Sequence, residues 1–396
     1  MLFQTFDDKE KCAALHVKGK LSFKKLPSNL TKTWSYSEFL RDREVDYAQL
    51  YCGGKSLDQV CPDYLKEEWE QVNNKLKAFY RSVLEARLDL NDHCFYDMIP
   101  REFLINYAEI KNKICTHIFS ANKKPEDYDH LLRLEKVLVE IKNRKLNVDA
   151  SQLSKDLYKF KVRRFAKKIR ETAPYIKYNS FKTKTGRLAT RPNSFPILTM
   201  DKSYRKILAP NNDWFLEFDY NAAELRVMLG LLGKEQPKED LHQWNIKNVY
   251  DGEGTREEAK KRTFAWLYNP ESKDALSNKA YDRGEILNKY WDGANVRTCF
   301  NREIEADEFH ALNYIIQSTA ADLFLRQMIE VWKLLKSKKS YIAFCMHDSL
   351  VIDFSEEEQH LLNEFKEKFE NTQFGKFKVN SSAGKNYGEM RKLNVY

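Results

Sequence analysis

Two aspartates lie beside apolar runs in an arrangement that suits metal-assisted chemistry on phosphate groups. Asp219 follows the run at 214–218, and Asp348 lies between the runs at 341–346 and 350–354. Two carboxylates at the ends of strands that are remote in sequence can meet across a sheet and bind a pair of Mg²⁺ ions. Such a pair supports in-line phosphoryl transfer. Taken singly, each aspartate is better explained as a capping or turn residue.

A third group of residues recurs at intervals of four. Arg256, Lys260, Phe264 and Tyr268 lie within a predicted helix over 255–268. At this spacing all four share one broad face that extends over about 18 Å. Arg and Lys suit a polyphosphate, and aromatic rings suit a base and a sugar. The alternative is an ordinary amphipathic helix whose two rings belong to the core.

Positive charge is concentrated in one part of the chain. The 396 residues carry a net charge of +9, but residues 154–191 alone hold 13 Lys and Arg against two acids. That segment is therefore +11 and the remainder is −2. Aromatic residues alternate with the basic ones, which is typical of a surface that binds a phosphate backbone. The alternative is a solvated helix face.

The elements that must position these residues are helical first and mixed afterwards. Helices are predicted over 62–88, 100–119, 125–142, up to 169, 222–232, 239–249, 255–268 and 309–335. The second and third of these form a predicted helical hairpin. Strands are predicted over 175–178 and 214–218, and the runs on either side of Asp348 predict a β-hairpin with polar residues at its tip.

Composition excludes several classes of protein. With 42% hydrophobic and 32% charged residues, the chain is globular rather than disordered. It has no apolar run of about 18 residues and no signal peptide, so we expect no membrane segment and a cytoplasmic location, in an infected host if the protein is viral. The seven cysteines form no CxxC pair. We therefore expect neither a disulfide framework nor a zinc site, and a reducing compartment.

Six short motifs, in their order along residues 60–396, resemble the family A DNA polymerases. The motifs are Thr185-Gly-Arg187-Leu, Asp219-Tyr-Asn-Ala-Ala-Glu224-Leu-Arg226, Asp240-Leu-His242, Arg256-x3-Lys260-x3-Phe264-x3-Tyr268, Asn313-Tyr-Ile-Ile-Gln317-Ser-Thr-Ala-Ala-Asp322 and His347-Asp348. The resemblance implies an α+β fold shaped as a right hand, with a palm of antiparallel sheet and helices and with helical fingers and thumb. The expected divisions are a segment of unknown role (1–60), thumb and leading helices (61–174), palm (175–235), fingers (236–304) and palm again (305–396).

The resemblance also implies roles for the matching positions. Asp219, Asp348 and the backbone carbonyl of Tyr220 would hold two Mg²⁺ ions, for which Mn²⁺ can substitute. Lys260, Arg256 and His242 would face the triphosphate of a dNTP, and Lys260 would take part in catalysis. Phe264 would pack near the sugar, Tyr268 would stack near the nascent pair, and Glu224 would exclude a 2′-OH. The residues implied to touch primer–template DNA are Arg187, Asn313, Gln317 and His347, with the basic stripe of Arg163, Arg164, Lys167 and Lys168 beside them.

Several departures from the family pattern leave alternatives open. Ser349 follows Asp348 where these DNA polymerases usually have Glu, Asn269 replaces Gly after the Tyr, and Phe309 stands where Arg is common. The loop at 192–196 is shortened. A single-subunit phage-type RNA polymerase is the nearest rival, but Glu224 and Phe264 favour dNTPs. A binder with a decayed active site is a second rival.

The biological setting is open as well. We expect a viral or phage replicative enzyme without its own 3′–5′ exonuclease, because about 60 residues precede the matched region. A gap-filling repair polymerase is the alternative. A processivity or replisome factor is a further expected partner, which the sequence does not identify.

Overall fold

The computed structural model of the chain describes residues 1–7, 13–22, 29–41, 43–88, 90, 93–269 and 271–393. These residues form two compact units, Met1–Asn143 and Arg144–Tyr396. Each unit is described by itself. The expected divisions into thumb, palm and fingers are finer than these units and stay a prediction.

Helices dominate the first unit. An antiparallel sheet of β1 (Gln4–Asp7), β2 (Ala13–Val17) and β3 (Lys20–Ser22) accompanies α1 (Lys66–Glu85), α2 (Arg101–Ala121) and α3 (Tyr128–Asn143). Pro100 immediately precedes α2, where its missing N–H is not needed. Phe6 and Ala48 share one apolar core with Trp69 and Tyr107. The first 60 residues therefore pack with the helices that follow them. All three predicted helices are confirmed, with ends that differ by a few residues.

The basic helix lies near the start of the second unit, after a short strand (Asn147–Val148) and a 3-10 helix (Ala150–Asp156). In α4 (Phe160–Glu171), Val162, Ala166 and Ile169 are buried at helical spacing, so the basic residues share the opposite, exposed face. After this helix the prediction of a strand over 175–178 is wrong: the strand found is Tyr178–Asn179, which pairs with Ala189–Thr190. Pro174 and the long loop to residue 189 leave residues 175–177 without a strand partner.

A five-stranded antiparallel sheet is the centre of the second unit. Its strands are β4 (Trp214–Tyr220), β7 (Tyr341–Met346), β8 (Ser349–Phe354), β9 (Val379–Gly384) and β10 (Arg391–Leu393), in the spatial order β7-β8-β4-β9-β10. A separate ribbon, β5 (Asn295–Arg297) with β6 (Glu303–Glu305), lies between β4 and β7 in sequence. The predicted strand and β-hairpin are thus confirmed, and β4 is central.

Seven helices accompany this sheet within the described part of the second unit, beyond α4. They are α5 (Ala223–Leu231), α6 (Leu241–Asn248), α7 (Arg256–Tyr268), α8 (Ala275–Tyr281), α9 (Arg283–Tyr290), α10 (Glu308–Leu335) and α11 (Leu362–Glu370). The long α10 packs against α5 and α11 and is buried along most of its length. Helices combined with an antiparallel sheet confirm the α+β class.

Two further expectations can be compared with the structure. None of the helices in the described residues is long and apolar enough to cross a membrane. Cys94 is disulfide-bonded, which the odd number and the spacing of the cysteines do not predict. Free thiols are found at Cys52, Cys61, Cys115, Cys299 and Cys345.

Candidate active site

A cavity of about 340 Å³ in the second unit brings the predicted chemistry together. All nine residues predicted to bind metal or nucleotide line it, namely Asp219, Tyr220, Glu224, His242, Arg256, Lys260, Phe264, Tyr268 and Asp348. The sheet explains why the two aspartates meet, because Asp219 on β4 is paired in register with Ser349, the residue after Asp348. Carboxylates that are remote in sequence therefore lie at the same end of adjacent strands.

The two carboxylates are held in a partly desolvated place. The pKa of Asp219 is raised to about 7, chiefly by burial and then by the charges of Glu217 and Asp348, while a hydrogen bond from Asn380 opposes them. Burial also raises the pKa of Asp348, against the lowering effect of Arg187 and His347. A site that disfavours its own negative charge is one that a cation would stabilise.

The donor set fits Mg²⁺. Among the described residues no group of three or more His, Cys, Asp or Glu is arranged to hold a metal ion. Mg²⁺, however, is commonly bound by one or two carboxylates, with substrate phosphates and water completing its shell. The Tyr220 phenol is turned into the core, where its hydroxyl donates to the Phe369 carbonyl at 2.6 Å. What Tyr220 can offer an ion is therefore its backbone.

Helix α7 presents the predicted face to the cavity. Thr255 and Glu258 form a capping box at its start, which fixes where the helix begins. Phe264 and Tyr268 are stacked one turn apart, with ring centroids 5.9 Å apart and planes 11° from parallel. Lys260 is exposed and forms no ion pair with any described residue. A free ammonium group and two stacked rings thus lie along one cavity wall.

Arg256 is engaged with helix α6 rather than free. It donates to both carboxylate oxygens of Asp240, at 2.9 and 3.2 Å. Burial acts to raise the pKa of Asp240, but hydrogen bonds from Arg256, the Gln243 N–H and Asn221 outweigh it and lower that pKa to about 2. Asp240 also caps α6. Any phosphate that binds Arg256 has to share it with this carboxylate.

Asn221 and Arg226 tie the end of β4 to the start of α6. The buried Arg226 donates to the carbonyls of Asn221, Pro237 and Glu239 at 2.8–2.9 Å. Asn221 in turn donates to Asp240 at 2.7 Å and accepts from the Leu241 N–H at 2.8 Å. Asn221 and Arg226 belong to a motif named above, but the sequence does not predict this network. Its acceptors are backbone carbonyls, which every residue type carries.

Glu224 is held between two partners. It is nearly buried and accepts from Arg187 at 2.6 Å on one oxygen and from the Tyr268 hydroxyl on the other. His242 is buried beside Phe264, with ring centroids 5.8 Å apart, and burial lowers its pKa. A neutral imidazole is therefore favoured at this wall of the cavity.

The loop that carries Arg187 depends on glycine. Gly186 has φ +76°, and a Cβ there would lie 2.4 Å from a guanidinium nitrogen of Arg302. Arg302 makes a two-pronged contact with Asp322 on α10, at 2.6 and 3.0 Å. The Thr-Gly-Arg motif thus passes close to the ion pair between Arg302 and Asp322 of α10. A larger residue at position 186 would displace the Arg302 guanidinium.

Comparisons with known proteins agree with this arrangement. The family described as DNA polymerase family A matches residues 283–389. Over these residues, from α9 to β9, the chain is similar to the family A DNA polymerases. One similar solved structure is the POL domain of Pol1 from M. smegmatis in complex with DNA primer-template and dNTP. Its TM-score is 0.54 at 14% identity, with 72% of this chain and 75% of that chain covered. None of the curated protein sequences is similar enough to count as a match.

The residues predicted to touch DNA do not line the cavity. Asn313 and Gln317 are half-exposed and lie one turn apart on α10, and His347 is exposed at the hairpin tip with φ +54°. The side chains of the basic stripe are exposed on α4, namely Arg163, Arg164, Lys167 and Lys168. Their DNA-binding roles stay predictions.

The structure accommodates the departures from the family pattern in different ways. The Ser349 hydroxyl donates to Glu217 at 2.6 Å. Asn269 ends α7 in an extended conformation, and its carbonyl accepts from Arg283 at 3.0 Å. Phe309 is 66% exposed in the first turn of α10. Sequence reasoning missed Glu217 and Asn380 as neighbours of Asp219, since nothing in residues 379–384 predicts that they pair with β4.

Proposed function

We propose that the protein is a family A DNA polymerase that extends a primer 3′-OH by template-directed addition of dNTPs, through two-metal-ion phosphoryl transfer. The supporting observation is that one cavity is lined by both aspartates, by Glu224 and by the four-residue face of α7. These residues come from segments far apart in the chain. Packing of the fold does not by itself require two carboxylates, two cations and two stacked rings to line one cavity.

The residues that would hold the metal ions are Asp219, Asp348 and the backbone of Tyr220. Two bound Mg²⁺ ions, or Mn²⁺ in their place, would supply a lowered pKa for the primer hydroxyl and neutralisation of the departing pyrophosphate. The protein contributes two adjacent carboxylates at the ends of paired strands, so their spacing is set by the sheet. Their partial burial strengthens their attraction for a cation.

The incoming nucleotide would lie along α7. Lys260, which has no carboxylate partner among the described residues, would bind the triphosphate and neutralise charge that develops on it. Arg256 and His242 would extend the phosphate contacts, with Arg256 shared with Asp240. The stacked Phe264 and Tyr268 offer flat apolar surfaces to the sugar and the base.

Glu224 would set the choice of sugar. Its carboxylate is fixed by Arg187 and Tyr268, so it cannot turn aside without losing two hydrogen bonds. A fixed carboxylate at the cavity wall disfavours a ribose 2′-OH by steric exclusion. This observation favours a DNA polymerase over the single-subunit RNA polymerase, which the sequence His347-Asp348-Ser349 otherwise resembles.

Primer–template DNA would be bound by groups outside the cavity. Arg187, His347 and the pair Asn313 and Gln317 would contact the primer–template near the primer end. The exposed basic face of α4 would bind the phosphate backbone, with an affinity that does not depend on base sequence. Viral replication as the setting is a further part of the proposal and rests on the resemblance described above. Extension without proofreading is also part of the proposal and is tested below.

Primer extension with Mg²⁺ tests the proposal. We expect extension with dNTPs and little with NTPs, loss of extension in Asp219→Asn and in Asp348→Asn, and retention of primer–template binding in both variants. A mismatched 3′ end should persist without being shortened. Near-normal extension by either aspartate variant would refute the metal assignment. Equal use of NTPs and dNTPs would favour the RNA polymerase alternative, and shortening of the mismatched primer would show proofreading.

A further inference from the structure

Glu217 is a carboxylate that the proposed mechanism does not use. It lies two residues before Asp219 on β4, so both side chains are on the same face of the sheet. Three hydroxyls surround it: Ser349 at 2.6 Å, Ser382 at 3.1 Å and Tyr387 at 3.2 Å. Ser382 is its register partner on β9. The carboxylate is therefore held from three sides.

The three donors satisfy the hydrogen bonding of Glu217 without neutralising its charge. Each is a neutral hydroxyl, and Glu217 forms no ion pair with any residue that the structure describes. Arg205 is the nearest cation along this chain of contacts, and it acts through Tyr387, to whose hydroxyl it donates at 3.5 Å. A half-buried carboxylate that lies beside no cation lowers the stability of a fold. Its presence here therefore indicates a functional role.

The charge of Glu217 acts on the metal site. Residues two apart on a strand lie about 7 Å apart and project from the same face, so the carboxylate of Glu217 lies beside that of Asp219. A negative charge at this distance attracts a divalent cation to Asp219. The hydroxyl donors keep that charge in place, because each would lose its acceptor if Glu217 turned away.

We propose that Glu217 is a positioning residue of the metal site, a third negative charge fixed behind Asp219 that raises the affinity of the Asp219–Asp348 pair for divalent cations. This inference rests on the proposed function. Glu217 acts through Asp219 and is not assigned as a ligand, because its oxygens are occupied by the three hydroxyls. The purely structural alternative is that Glu217 only ties β8 and β9 to β4 through Ser349 and Ser382.

Direct binding of Mn²⁺ to the full-length protein, without DNA or nucleotide, separates these alternatives. Titration followed by calorimetry and by electron paramagnetic resonance gives the dissociation constant. We expect about three- to tenfold weaker binding in Glu217→Gln, which keeps the shape and removes the charge. Glu217→Thr, a neutral residue that favours strands, should weaken binding to a similar degree. It serves as the second variant if the amide impairs folding.

Two controls separate charge from structure. Asp353→Asn removes another buried carboxylate of the same sheet, one that accepts from two backbone N–H groups and from Tyr341. Its register partner is Phe215, four residues before Asp219 and so about 13 Å away along the strand. Ser382→Ala removes one tie and leaves the charge with two donors. Both controls should bind Mn²⁺ within about twofold of the wild type.

The outcomes distinguish this inference from the proposed function. If the wild type binds Mn²⁺, Asp219→Asn loses the binding and both Glu217 variants bind like the wild type, then the inference is wrong and the metal site stands. A loss in Ser382→Ala as large as that in Glu217→Gln would also overturn it in favour of the structural role. If the wild type itself does not bind Mn²⁺ in the presence or absence of primer–template DNA, the proposed metal site fails first.

Discussion

Replacing Asp219 by Asn should abolish catalysis and at the same time stabilise the metal-free fold. The folded-state pKa of Asp219 is about 7, whereas the ordinary value is 3.8. Between these values the folded protein retains a proton that the unfolded chain has lost. Stability therefore falls as the pH rises from about 4 to 7, because the unfolded state binds fewer protons.

The size of the effect follows from the same difference. At about 1.4 kcal/mol for each pH unit between the two values, ionised Asp219 costs the fold about 4 kcal/mol above pH 7. Since Asp219 retains some contact with water and Asn loses part of the hydrogen bond from Asn380, we expect Asp219→Asn to be more stable by about 2–4 kcal/mol at pH 8. The gain should be small near pH 4.

Urea unfolding in EDTA at pH 4 and pH 8, followed by pulsed hydrogen exchange of peptides from Trp214–Tyr220, measures this difference within the second unit. Excess Mg²⁺ should stabilise the wild type and leave the variant unchanged, because only the wild type binds the ion. Asp353→Asn serves as a control: it keeps both aspartates of the proposed metal site, so Mg²⁺ should stabilise it as much as the wild type. A variant less stable than the wild type at pH 8 in EDTA would refute the reasoning.

Three other substitutions test separate parts of the site. Glu224→Ala should raise NTP incorporation relative to dNTP by about tenfold or more, since the fixed carboxylate is gone, and an unchanged ratio in single-nucleotide kinetics would contradict the gate. Asp240→Asn should raise the KM for dNTP several-fold with a smaller change in kcat, because it weakens both the cap of α6 and the contact that places Arg256. A several-fold fall in kcat with an unchanged KM would count against this. Neutralising the basic face of α4 should weaken binding to every DNA sequence and flatten its salt dependence in fluorescence anisotropy, and an unchanged slope would mean that the face is only solvated. The residues to change in the last case are Arg163, Arg164, Lys167 and Lys168.

Local patterns in the sequence predict much of this site. The face of α7 follows from four-residue spacing, and the β-hairpin at Asp348 follows from two apolar runs with polar residues between them. Both depend on contacts between residues close in sequence. That the two aspartates would share one cavity came only from the order of the motifs, since a hairpin tip alone does not say which strand it faces.

Long-range pairing accounts for what could not be predicted. Residues 379–384 read Val-Asn-Ser-Ser-Ala-Gly, which has no apolar alternation, yet they pair with β4 and bring Asn380 opposite Asp219. Glu217 reads as the one polar residue in an apolar run, and its importance depends on Ser382 and Tyr387, which arrive from the far end of the chain. The type of one residue does not indicate which residues from distant parts of the chain will lie beside it.

The topology of the sheet sets the order in which a growing chain can build the active site. β4 pairs only with β8 and β9, both of which are synthesised after α5 to α10. Until then a strand that carries Phe215, Leu216 and Phe218, all fully buried in the finished fold, has no sheet neighbour to cover it. A nascent chain that stops short of the hairpin therefore contains one aspartate of the pair and an exposed apolar strand that can associate with other chains. The cavity is complete only when the last strands emerge, so ribosomes that stall within α10 should release chains prone to aggregate.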